Sequence, residues 1–160
     1  MNPKTEYTNK SVLKADQYGK IDGRNAYQSD LESLSLGVSP KEARQRTQNI
    51  LIHTLERAEE GYKNATIPVH RAIDMTILLC QSQLYFQDAY RLPKLYDPEN
   101  PTVKNIGLQG DALRIEVCKE NLMIDEQIQQ FYQALGENGE LLGERLRVLA
   151  RLLEDLGYKK

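Results

Sequence analysis

VSPKEARQRTQNILIHTLERAEEGY, residues 38–62, is the stretch on which the reading of the chain turns. It opens with Ser39, Pro40 and Glu42, the order of an N-cap, a first-turn proline and a glutamate at N3. The serine oxygen can accept from the N3 amide while the glutamate reaches back to the N-cap amide. Ala43, Thr47, Ile50, Leu51, Thr54, Leu55, Ala58 and Tyr62 then recur at helical spacing on one side, and Gly61 is placed to stop the run. The stretch predicts an amphipathic helix. His53 falls off the centre of its stripe, toward solvent, and raises the question of histidine chemistry.

Working outward, a second helix is predicted from Pro68 to about Tyr90. Val69, Ala72, Ile73, Thr76, Ile77, Cys80 and Leu84 share one face, widened by Met75, Leu79, Phe86 and Tyr90, so this helix reads as the most buried. Pro93 ends it, and LPKLYDPENP (92–101) reads as a stiff loop. Asp111 is placed to cap a third helix reaching Leu135, with Leu113, Val117, Ile124, Ile128, Phe131 and Leu135 inward. Gly136 and Gly139 mark a turn. A fourth helix, Glu140 to Leu156, turns Leu142, Leu146, Leu149, Leu152, Leu153 and Leu156 inward, with Gly157 as its C′ residue. No alternating β-branched run of convincing length is read. The expected fold is all-α: an antiparallel four-helix bundle over residues 39–160, preceded by a flexible or strapped N-terminal arm over 1–38. Within the arm, Tyr27, Leu31 and Leu34 are spaced for a short helix at 25–35.

Length and charge narrow the function classes. A chain of 160 residues fits one domain, and 21 Lys and Arg are interspersed with 23 Asp and Glu. A nucleic-acid binder concentrates positive charge, so no nucleic-acid partner is expected. No apolar run approaches the roughly 18–20 residues that span a bilayer, and MNPKTEYTNKSV lacks the apolar core of a signal peptide. The expectation is a cytoplasmic protein with no membrane insertion, its Cys80 and Cys118 buried as thiols.

Chemistry finds little purchase. IHTLERA (52–58) resembles the histidine segment of phosphotransfer domains, which are also helical bundles, but Glu56 lies one turn from the ring and repels a phosphoryl group. His70 sits in the first turn of the second helix, where the dipole favours the neutral ring. Neither histidine has an acid three residues before it or a second histidine four residues away, and the cysteines form no CxxC. Adjacent acids such as Glu59–Glu60 point about 100° apart on a helix and share no substrate. No catalytic residue, metal or cofactor is expected.

Apolar residues in polar surroundings carry more. Leu78 and Tyr85 lie on one line inside the arc of Arg71, Asp74, Gln81 and Asp88, and Ile52 points opposite Ala43 among Gln45, Gln48 and Asn49. With Tyr27 in the arm, these are the expected partner-binding residues. NAYQ (25–28), SPKEARQRTQNILIHTLERAEEGYKN (39–64), AIDMTILLCQSQL (72–84) and the leucine-rich final helix follow in an order that resembles the flagellin export chaperone family. That resemblance implies a four-helix protein holding the aggregation-prone helical end of a secreted subunit, with the segment around Tyr27 able to cover the client groove. The expected function is a non-enzymatic protein-binding module, a secretion or assembly chaperone or adaptor holding an amphipathic helical segment of another protein. One alternative is a self-assembling helical subunit, a homo-oligomer. The second is phosphotransfer through His53.

Overall fold

The computed structural model describes residues 2–23, 31–41, 44 and 47–158. Among these residues lie four α-helices and two antiparallel sheets, one of four strands and one of two. The architecture is mixed α/β, and the helical bundle expected from the leucine spacing is not the fold. The chain divides into two compact units, residues 1–75 and 76–160, each described by itself.

The first unit is a helix laid on a sheet. Helix α1 (Pro3–Lys10) starts at Asn2, whose side chain accepts from the Thr5 amide at 2.8 Å, with proline in the first turn where no amide is missed. Strands β1 (Leu13–Ala15), β2 (Leu31–Val38), β3 (Ile50–Arg57) and β4 (Tyr62–Pro68) pair antiparallel in sequence order. The stretch expected as the first helix is therefore a loop and two strands. The reason lies in ILIHTLER: Ile50, Ile52 and Thr54 are β-branched and fall on one face, while Leu51, His53 and Leu55 fall on the other. A strand buries parts of both sets, whereas a helix would have buried one stripe and exposed the rest. Ser39 still satisfies a backbone amide, but it is that of Asn49 at 2.9 Å, and its own N–H donates to the Asn49 carbonyl. The serine closes the β2–β3 connection in place of capping a helix. Gly61, at φ +85°, closes the β3–β4 hairpin, with the Ala58 amide donating to its carbonyl at 3.0 Å.

Cross-strand register sorts the two faces of this sheet. Ser33 pairs with Leu55, Ser35 with His53, and Gly37 with Leu51. Ser33, Ser35, His53 and Leu55 are buried beneath α1, of which Tyr7 is the buried residue. On the other face Leu36, Ile52 and Ile67 line up across three strands, flanked by Leu13, Val38 and Ile50. Of these, Leu13, Leu36, Val38 and Ile50 are exposed.

Helix α2 (Val69–Asp88) begins in the first unit and continues in the second. It occupies the range expected for it, yet none of its residues is buried, and Ile73, Met75, Leu78 and Leu84 are exposed. The second unit continues through a 3₁₀ turn (Ala89–Arg91), the hairpin β5 (Thr102–Gly107) and β6 (Ala112–Glu116), then α3 (Ile124–Glu137) and α4 (Gly139–Asp155). Ala89, Leu95, Tyr96, Val117 and Ile128 form its core, with Tyr85, Phe86, Val103 and Ile124 packed around them. The start of the expected third helix is strand β6 of the β5–β6 hairpin. Asp111 caps no helix there: its carboxylate accepts from Ala112 N at 2.7 Å and grips Arg114 at 2.9 and 3.1 Å, fixing the turn. Cys118, expected to be a buried thiol, is exposed.

Candidate functional site

Helix α4 is amphipathic; it touches α3 but puts no residue into the core of its own unit. Leu142, Leu146, Leu149, Leu153 and Leu156 recur in steps of four and three, the spacing that keeps one seam facing a partner helix. Glu144, Arg147, Arg151 and Glu154 occupy the opposite side. No residue of α4 is buried and none joins the core of the second unit. Leu149, Leu153 and Leu156 are 37%, 41% and 70% exposed, and Val148 and Leu152 beside them are exposed too. The helix needs no partner to end cleanly. Gly157, at φ +90°, donates to Glu154, and the Tyr158 amide reaches back to the Leu153 carbonyl at 2.9 Å, a complete Schellman cap. What the fold leaves open is therefore a well-formed rod with a leucine seam.

The expected partner-binding residues scatter. Tyr27 lies outside the described residues. Ile52 is half-buried at the middle of the open sheet face, between Leu36 and Ile67. Leu78 is exposed on α2. Tyr85 faces inward: it packs on the core of the second unit, stands edge-on to Phe86 with ring centroids 5.1 Å apart, and donates its hydroxyl to the Leu95 carbonyl at 2.9 Å. That bond braces Leu95, which holds a left-handed φ of 65°. The sequence spacing of Leu149, Leu153 and Leu156 predicts core positions. Their spacing was the right signal, but spacing alone does not say whether the facing helix belongs to the same chain.

His53 is the other relocation. It is 3% exposed, between α1 and the sheet, and not on a wet helix face. Its Nδ1 is 2.8 Å from Thr66 Oγ1, and its Nε2 is buried with no hydrogen-bond partner. Burial, and then the charge of Lys10, hold its pKa below the ordinary histidine value. A ring enclosed in this way is not presented to a phosphodonor. Among the described residues no group of three or more His, Cys, Asp or Glu is placed to hold a metal ion, and no helix is long and apolar enough to cross a membrane.

Beside His53 the first unit carries a polar network that sequence reading missed. Tyr7 Oη contacts Ser33 Oγ, Ser33 Oγ donates to Asp16 Oδ1 at 3.2 Å, and Lys14 pairs with Asp16 at 2.8 Å. Ser11 reaches Ser35 Oγ at 2.7 Å. These groups border an open cleft of about 760 Å³ between α1, β1 and the sheet, which also meets Lys4 and Lys20. The sequence signal was LESLSLGV, where serines and leucines alternate with period two. A profile described as a family of unknown function (DUF6530) matches residues 1–158. The chain belongs to that family. No curated protein and no solved structure matches it. The family match runs through both units, so the polar cleft and the leucine seam both lie on family architecture.

Proposed function

We propose that this chain is a non-enzymatic protein-binding module whose α4 seam takes an amphipathic helix of another polypeptide. The observation that supports this is the exposed run Leu149, Leu153 and Leu156, which continues the seam of half-buried Leu142 and Leu146 on a helix with no residue in its own unit's core. The mode is helix against helix: apolar anchors interlock along the seam while Glu144, Arg147 and Arg151 stay in water. Each anchor fully buried contributes about 1.5–3 kcal/mol before ordering costs are subtracted. The open sheet face around Ile52 is a second apolar surface of the same kind, which fits an assembly or adaptor role better than a catalytic one.

Light scattering on wild type and on the Leu149→Asp/Leu153→Asp double variant tests the reading. A wild-type oligomer that the variant reduces to a monomer places a second copy in the seam. A wild-type monomer that captures a helical protein, lost in the variant, places a client there. A wild-type monomer whose captured partners are unchanged by the double substitution sinks the proposal. Both leucines are exposed, so circular dichroism should show the fold intact.

A further inference from the structure

The hydroxyl groups that line the cleft of the first unit have their protons already committed. Lys14, and to a lesser degree Ser33, hold the Asp16 carboxyl below the ordinary carboxylate range, so it is ionised. An ionised carboxylate only accepts. The single proton of Ser33 Oγ therefore goes to Asp16, 3.2 Å away. Ser33 in turn accepts from the Tyr7 phenol that touches it. Tyr7 has then spent its proton and keeps only acceptor capacity. Thr8 donates to the Lys4 carbonyl at 3.0 Å and Ser11 donates within the network, so neither hydroxyl offers a free proton either. The Tyr7–Ser33–Asp16 side of the wall presents oxygen lone pairs, and it suits a ligand that brings its own hydroxyl donors.

The rim has the opposite character. Lys4 stands over the Tyr62 ring at 5.0 Å, and neither Lys4 nor Lys20 forms an ion pair with a described residue. Glu32, the other acid of the lining, is engaged by Arg57 at 2.8 Å. The cleft thus pairs an acceptor-rich wall with two rim ammonium groups that no described carboxylate pairs directly, the Lys4 charge being also felt by Asp16. Gln17, which also lines it, holds a left-handed φ of 56° without being glycine, a strain that persists only where surroundings enforce it. The volume of about 760 Å³ falls within the roughly 300–1,000 Å³ usual for small-molecule sites.

We propose that this cleft binds a small phosphorylated polyol or sugar, its hydroxyls donating to the Tyr7–Ser33–Asp16 wall and its phosphate drawn by Lys4 and Lys20. This site lies in the first unit and does not depend on the α4 reading. Calorimetric titration of the full chain with matched probes tests it: glycerol 3-phosphate against glycerol, ribose 5-phosphate against ribose, glucose 6-phosphate against glucose, and inorganic phosphate alone. At least one phosphorylated probe should bind more tightly than both its neutral partner and inorganic phosphate. The Lys4→Ala/Lys20→Ala variant should weaken that probe by about three- to tenfold, because two exposed charges are lost, and leave the neutral partner unaffected. Asp16→Asn gives a readout that simple loss of structure does not mimic. An amide at 16 can donate to Ser33, the hydroxyl chain reverses, and Tyr7 regains a proton to offer. Preference should then move from the phosphorylated polyol toward inorganic phosphate. If no phosphorylated probe outbinds its neutral partner, or the double lysine variant binds as wild type does, the proposal fails. Inorganic phosphate binding as tightly as every phosphorylated polyol also overturns it, since the acceptor wall then does nothing.

Discussion

Gly37→Ala isolates the contact that seats α1 on its sheet. Gly37 is buried in β2, opposite Leu51. A Cβ there would overlap the carbonyl oxygen of Lys10 and come within 3.1 Å of His53 Nε2. The obstructing oxygen is backbone, at the last residue of the helix, so no rotamer change relieves it and α1 has to move. Replacing glycine inside a strand would otherwise help by about 0.5–1 kcal/mol. Overpacking a fitted site costs about 1–3 kcal/mol. Moving the helix also strains its ties, Tyr7 to Ser33, Ser11 to Ser35 and Asn64 Nδ2 to the Pro3 carbonyl, each worth about 0.5–1.5 kcal/mol. The expected net loss is about 2 kcal/mol. Urea unfolding followed by circular dichroism measures it, and hydrogen exchange should show α1 and Val12 losing protection before β3 and β4. Gly107→Ala is the control, because a Cβ at that position meets nothing within 4 Å. A Gly37→Ala protein within about 0.5 kcal/mol of wild type, below the overpacking range, would refute the close seating of helix on sheet.

Two further outcomes follow from the same geometry. His53 has a folded pKa below its unfolded value, so between the two the unfolded chain binds more protons. The stability its neutral ring contributes is present above the ordinary histidine pKa and is lost as pH falls below it, with a slope of at most about 1.4 kcal/mol per pH unit. Chemical denaturation across pH 5–8 should show this loss, and His53→Gln should flatten it. Tyr85→Phe removes the hydroxyl from the Leu95 carbonyl and should cost the second unit about 1 kcal/mol while leaving partner capture through α4 unchanged. A binding defect without a change in melting temperature would return Tyr85 to the surface role first read for it.

Much of what the sequence made legible concerns single elements, and most of what it hid concerns their neighbours. α2 and α4 lie close to where their apolar periodicity places them, and Gly157 caps α4 as its position suggests. Residues 50–57 misled because a run rich in Ile, Leu and Thr fits both periods. The competing cues, Ser39 and Gly61, also serve as loop closers. Asp111 failed as a cap signal for the same reason, since a short acid can tie a hairpin turn as well as a helix start. The cleft was hidden because its parts are 26 residues apart in the pair Tyr7–Ser33 and 17 in Ser33–Asp16. Only the β1–β2 register and the docking of α1 bring them together. Apolarity on a helical wheel singles out Ile52 and Leu78. Ile52 reaches an apolar surface by strand alternation instead.

The way α1 is attached has a thermodynamic consequence. One tyrosine is its only buried residue, and the remaining ties are hydroxyl and amide contacts. Its release should therefore uncover little apolar area beyond the Tyr7 ring and the Leu55 beneath it, giving a small heat-capacity increment and a shallow dependence on urea. Cooling, which weakens docking built on greasy contacts, should leave this helix in place. Acid, acting on the ring beneath it, is the condition under which it should let go first.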